Sequence, residues 1–254
     1  MWRKVALNVW SKPRDPTIYG IFEVSASHII DYIRAKREKE GEKITVTHFV
    51  GKVVAQTLAE HKDYNLIIKR GEIVKRKTID IFFQIEFGEG ELAGAKLKEV
   101  DRKSLSAIAK ELREKAHKIK KFQNDPSINM IKIFSKLPSF VLKPVLRLSE
   151  FLSYELGISI GGLDQDPFGS AMVTNIGSFG LDFGLAPLFP LSRTPIVITL
   201  GLIKEKPYVL NGELTVAPVL SMGVAIDHRY YDGYHIAVLA RTFKELIENP
   251  DPNW

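Results

Sequence analysis

The sequence predicts an α/β (α+β) fold, a mixed and partly antiparallel sheet with helices packed on it. Three observations carry that expectation. Helical and strand-like stretches interleave along the chain without the regular strand-helix-strand rhythm of a doubly wound sheet. Strand signals crowd the last third, where Asn211-Gly212 separates two β-rich runs as a tight hairpin turn would. The 254 residues are 45% apolar and include no cysteine. A chain of this size buries roughly 70–75% of its unfolded surface, so its core needs no disulfide or metal staple.

Taken in order, Tyr19 to Val24 is β-rich, and Ser25 and Ser27 are suitable N-caps for a helix from about Ile29 to Glu40, stopped by Gly41. Thr45-Val46-Thr47 opens a second helix, in which Phe49, Val50, Val53, Val54, Thr57 and Leu58 recur at helical spacing. The run Ile67 to Val74 reads as two short strands about Arg70-Gly71, and Ile79 to Phe87 as a buried strand. Ser104 to Lys121 is strongly helical and mostly basic. From Ala171 the pattern turns to strands at Met172-Val173-Thr174, Pro195 to Ile203, Lys206 to Leu210, Leu214 to Ala217 and Leu220 to Ile226. A last helix runs from about Tyr234 to Ile247 and ends at Asn249-Pro250. With no repeat, low-complexity tract or Pro/Ala/Gly linker, residues 1–254 are expected to form one domain.

Charge and composition narrow the functional classes. Without cysteine there is no disulfide, thiolate metal site or cysteine nucleophile. The net charge of +6 is uneven, because Lys110 to Ser149 carries ten Lys/Arg against Glu111, Glu114 and Asp125, a local +7. Such a zone suits a polyanionic ligand, an anionic membrane surface or an acidic partner. Nucleic acid fits less well, since zinc-finger spacing and RNA-binding aromatic signatures are missing. Uncharged stretches such as Thr194 to Ile203 fall short of the ~18–20 apolar residues that a spanning helix needs. The first eight residues lack the apolar core of a signal peptide, which predicts a cytoplasmic protein.

The chemistry points to Ser221 to His235. A strand delivers His228 to its end, and Asp232-Gly233 then turns the chain into the last helix. Histidine titrates near neutral pH, so a strand-end His can serve as a general base. His28, His48, His61, His117 and His235 lack metal-ligand spacing, and no metal is expected.

Asp227-His228-Arg229-Tyr230-Tyr231-Asp232-Gly233 resembles the Asp-His-Arg-x-x-Asp-Gly signature of the dihydrolipoamide acyltransferase catalytic domain of 2-oxo acid dehydrogenase complexes. The related chloramphenicol acetyltransferases share the His-x-x-x-Asp-Gly core, and Tyr234-His235 looks more like their version. Arg3-Lys4-Val5-Ala6 is similar to the family's entry helix, and Asp101 to Ala109 to the segment leading into its mid-chain helix. Val173-Thr174-Asn175-Ile176-Gly177-Ser178-Phe179-Gly180 matches Ile-Ser-Asn-x-Gly-x-Phe-Gly, and Lys204 to Ala217 resembles the late hairpin. The matches stand in the family's order along most of the chain.

The resemblance implies a chloramphenicol-acetyltransferase-like mixed-sheet sandwich with packed helices, acting as a coenzyme A-dependent acyltransferase. His228 falls on the general base, whose Nδ1 is held in the family by its own backbone carbonyl. Thr174 falls on the hydroxyl residue that bonds the oxyanion, although a strand-capping role is the plain alternative. Asp232 falls on a carboxylate that pairs with an N-terminal arginine, here Arg3; a helix N-cap is the alternative. Gly233 permits the tight turn behind it. The substrates implied are an acyl-CoA and a dihydrolipoyl-like thiol or a hydroxyl, with a lipoylated or acyl-carrier protein supplying the group in trans and a homotrimer building the site between subunits. A catalytically silent oligomeric scaffold of a dehydrogenase-type complex is the competing reading, and an antibiotic-type acetyltransferase a third.

Two departures stand out. Gly90-Glu91-Leu92-Ala93-Gly94-Ala95 replaces the family's Asp-x-x-x-Gly-Leu-x-x-Pro-Val run. Residues 124–160 look like a helical insertion, with polar groups such as Lys132, Lys136, Arg147 and Glu150 on one stripe and Ile131, Phe134, Val141, Leu148 and Phe151 on a wide apolar face. Pro138 and Pro144 are expected to divide it into short helices. Core or oligomer packing, a wall for a longer acyl chain, and docking on an anionic membrane all remain open for it.

Overall fold

The computed structural model describes residues 15–88, 91–120, 138–159, 164–210 and 212–254. The described strands are β1 (Thr17–Ser25), β2 (Leu66–Lys69), β3 (Glu72–Lys75), β4 (Ile81–Gly88), β5 (Glu91–Leu97), β6 (Ala171–Asn175), β7 (Ile196–Leu200), β8 (Lys204–Leu210) and β9 (Glu213–Asp227). The α-helices are α1 (Ser27–Glu40), α2 (Val46–Glu60), α3 (Leu105–Lys120), α4 (Ser139–Glu150) and α5 (Gly233–Glu248). The main sheet runs β1-β9-β7-β6-β4-β5, with β8 added to β9. Strands β4, β6 and β7 are parallel, whereas β5, β9, β1 and β8 pair antiparallel. Strands β2 and β3 form a separate hairpin closed by Arg70-Gly71, both at positive φ.

Helices α1, α2, α3 and α5 cover one face. Phe49, Val50, Val53, Val54 and Leu58 of α2 are buried against the sheet, joined by Ile29 and Ile33 of α1, Leu105 and Ile108 of α3, and Leu239, Phe243 and Ile247 of α5. Helix α2 comes close enough that a Cβ on Gly51 would run into the Phe83 ring of β4. On the opposite face Met172, Val197 and Ala225 are covered by Phe82, Phe168, Ala186 and Leu188. Covering on both faces explains why β6 and β7 read as nearly unbroken apolar runs.

Several local expectations change. Helix α1 begins at Ser27 with Ala26 at the N-cap and no side-chain cap, because Ser25 ends β1 and Ala26 N donates to Pro218 O at 2.7 Å. The two strands expected over 214–226 are one, β9. Pro218 is tolerated inside it because its backbone faces the side where β1 has already ended at the Ser25–Val219 pair, so no ladder bond needs its missing N–H. Strand β5 was not expected from Ala93-Gly94-Ala95; pairing with β4 overrides its weak β-propensity. Pro144 does not divide α4 but lies inside it, at the loss of one backbone bond. Helix α4 continues into a π-helical turn, Phe151–Glu155. The remainder of the 124–160 segment, 124–137 and 160, lies outside the described residues. Among the described residues no helix is long and apolar enough to cross a membrane.

Candidate active site

Strand β9 carries the chain to Asp227, whose N–H donates to Pro195 O at 3.0 Å, and His228 N then donates to Pro16 O at 2.9 Å. The buried Asp227 carboxylate fixes the turn after the strand. It accepts from Arg229 N at 2.9 Å, Arg229 Nε at 3.0 Å and Arg229 Nη2 at 2.6 Å, while Asp227 O accepts from Tyr230 N at 3.0 Å. This ion pair holds the Arg229 guanidinium above its ordinary pKa. His228 is thereby presented from a short, doubly anchored turn, with its side chain exposed. Among the described residues its ring has no hydrogen-bond partner.

Asp232 is the N-cap of α5. Its Oδ1 accepts from Tyr234 N at 3.0 Å and His235 N at 3.2 Å, and lies 2.7 Å from His235 Nδ1. The His235 N–H foremost, then the His235 ring, hold this carboxylate below its ordinary pKa. Gly233 is the first residue of α5. Arg3 lies outside the described residues, so the expected Asp232–Arg3 contact does too. His235, given no catalytic role from sequence, completes the capping box.

Thr174 lies at the other end of the sheet. It pairs with Thr199 on β7, and Thr199 with Gly223 on β9. His228 is five residues further along β9 than Gly223, or about 17 Å at ~3.3 Å per residue, with two strand spacings of ~4.8 Å besides. One chain therefore does not bring the Thr174 hydroxyl to the His228 ring. Thr174 is buried, and the loop after it is braced by Asn175, whose Nδ2 donates to Thr47 Oγ1 at 2.9 Å and whose Oδ1 accepts from Ser178 N at 3.3 Å. That loop exposes Phe179, Leu181, Phe183, Leu185 and Phe189. It crosses the sheet so closely that a Cβ on Gly223 would strike Gly184 O.

Tyr230 and Arg193 were missed by sequence reasoning. The Tyr230 hydroxyl accepts from Ile68 N at 3.0 Å and donates to Arg193 O at 3.3 Å, tying the His228 loop to the β2-β3 hairpin and to the turn before β7. Tyr230 stood inside the motif as an unassigned position, and nothing in the sequence marks Arg193. Among the described residues no group of His, Asp and Glu could hold a metal ion.

An exposed histidine at the end of a strand inside a mixed sheet is the feature that fold and site share, and comparison with known proteins places it. The chain belongs to the family of 2-oxoacid dehydrogenase acyltransferase catalytic domains, which it matches over residues 3–127 and 165–252. It is 27% identical over 214 residues to the dihydrolipoyllysine-residue succinyltransferase component of the 2-oxoglutarate dehydrogenase complex of Buchnera aphidicola, covering 84% of this chain and 44% of that protein. It is 24% identical over 257 residues to the dihydrolipoyllysine-residue acetyltransferase component of the pyruvate dehydrogenase complex of Acholeplasma laidlawii, covering 98% and 40%. The chain thus spans less than half the length of these relatives. Among solved structures, a probable dihydrolipoamide acetyltransferase from Listeria monocytogenes shares the fold with a TM-score of 0.69 at 22% identity, over 100% of this chain and 95% of that one. The cubic core of a pyruvate dehydrogenase multienzyme complex does so with a TM-score of 0.67 at 17% identity, over 93% and 83%. The expected mixed-sheet α/β class is the one found.

Proposed function

We propose that the chain transfers acyl groups between a coenzyme A thioester and a thiol of the dihydrolipoyl class, a lipoylated protein presenting the thiol in trans. The observation that carries this reading is His228, exposed and anchored at a strand end, within the motif of the family to which the chain belongs. His228 Nε2 takes the proton as the thiol sulfur attacks the thioester carbonyl, and the Thr174 hydroxyl donates to the oxyanion that forms. Collapse of the tetrahedral intermediate breaks the bond to the leaving sulfur, and the imidazolium returns its proton to that thiolate. No covalent acyl-enzyme is required. Asp232 contributes by fixing the start of α5, and so the end of the His228 loop.

The site is completed between subunits in this reading, His228 of one meeting Thr174 of the next in a homotrimer. The separation of the two residues along the sheet supports it. So does the exposed apolar surface of the β8-β9 arm, at Val209, Leu214 and Val216, which extends beyond Gly223 on the side away from His228. The test is thiol release from a panel of acyl-CoAs with and without dihydrolipoamide, beside light scattering. Dihydrolipoamide-dependent turnover by a trimer, lost in His228→Ala, is expected. No turnover with any donor would leave the scaffold reading in its place.

A further inference from the structure

Arg193 has a left-handed backbone with φ 48°, a conformation that costs an L-residue free energy. Its guanidinium is only 15% exposed and bonds Glu150 Oε1 at 3.0 Å, Glu155 Oε1 at 2.7 Å and Ile68 O at 2.9 Å. It also lies over the Tyr154 ring, 4.8 Å from the centroid, while the Tyr154 hydroxyl donates to Ser192 O at 2.6 Å. Both carboxylates and the ring belong to the α4 and π-turn segment, inside the 128–164 stretch that the family match leaves out. The main chain of Arg193 faces a different partner: its carbonyl accepts from the Tyr230 hydroxyl at 3.3 Å and from Arg76 Nη2 at 3.2 Å. The same Tyr230 hydroxyl accepts from Ile68 N, and Tyr230 is buried two residues beyond His228.

One residue therefore grips the added segment with its side chain and the catalytic loop with its main chain. Docking the segment would need the guanidinium alone. The carbonyl bond to Tyr230 makes the contact mechanical, because a buried network with its polar groups satisfied resists rearrangement. We propose that Arg193 is a positioning residue for His228, through which the 138–159 segment sets the orientation of the base. The inference rests on the assignment of His228 as the base.

The test uses Tyr230→Phe, which keeps the ring and removes the link, and Arg193→Lys, which keeps the charge and loses the fork. Each is read by the imidazole NMR resonances of His228, assigned by their loss in His228→Asn, and by kcat and KM. Both variants are expected to shift the His228 resonances and lower kcat by about 10- to 100-fold, the cost of slight misplacement of a reacting group, with KM nearly unchanged. The double variant is expected to fall no further than the worse single one, since both cut the same link. Wild-type resonances and kcat in folded Tyr230→Phe would overturn the proposal, as would additive losses in the double variant. If Arg193→Lys fails to fold, Tyr230→Phe decides alone. If the wild-type protein turns over no acyl-CoA, the functional assignment fails while the His228 resonances still decide the positioning.

Discussion

Complementation between two inactive variants tests the shared site directly. His228→Ala removes the base, at a cost of about 10²–10⁴-fold in turnover. Thr174→Val removes the oxyanion donor with little change in volume, at a cost of about 10²–10³-fold. The pairings Thr174–Thr199–Gly223 set Thr174 five residues of β9 away from His228, a separation of about 17 Å along the strand. If a site takes its base from one chain and its donor from another, random mixing of the variants in equal amounts makes about a quarter of the sites fully wild-type. Co-refolded mixtures should then show about a quarter of wild-type activity, at least tenfold above either parent. The assay is dihydrolipoamide-dependent thiol release, before and after co-refolding. Activity of the mixture equal to the mean of its parents would refute the argument, because it would require both groups to act within one chain.

Other outcomes depend on particular contacts. Burial, with smaller contributions from Arg37 and Arg113, pushes the pKa of His48 down to about 4, while its Nδ1 accepts from Thr45 N at 3.1 Å in the α2 cap. The unfolded chain binds this proton near pH 6.5 and the folded chain does not. His48 therefore supports the fold fully above that pH and progressively less as pH falls toward 4, by roughly 2 kcal/mol between pH 7.5 and 5. In His48→Gln, which keeps a cap acceptor, urea melts should lose that part of the pH dependence, and an unchanged dependence would count against it. Gly51→Ala puts a methyl group into the Phe83 ring and should cost about 1–3 kcal/mol by denaturant melts. Asp232→Asn should keep Tm near wild type because the cap acceptor remains, whereas Asp232→Ala should lower both Tm and kcat; equal Tm in the two would deny the cap its role.

The elements legible from sequence are those whose cause is local. Phe49, Val50, Val53 and Val54 repeat with the helical period because α2 buries one face on the sheet, and Asn211-Gly212 marks a hairpin because few residues suit that turn. What escapes is settled by neighbours remote in the chain. Ala93-Gly94-Ala95 carries little strand signal, and the segment becomes β5 because β4 offers it a free edge. Ser25 looks like a cap, yet the β1 register with β9 claims it as a strand residue.

The site divides along the same line. His228 could be found because a rigid strand end, a turn and a helix start must succeed one another within seven residues, so their chemistry is written contiguously. The Arg193 contacts draw on residues 68, 150, 155 and 230, and no period or spacing connects such positions. Thr174 is the intermediate case. Its motif is contiguous and recognisable, but the strand pairings alone show that it stands at the far end of the sheet from the residue it is meant to assist. A motif can therefore supply the members of a site while the topology decides how many chains are needed to assemble it. Here the loop that follows Thr174 exposes Phe179 and Leu181, so a second subunit meeting that end of the sheet would bury apolar surface.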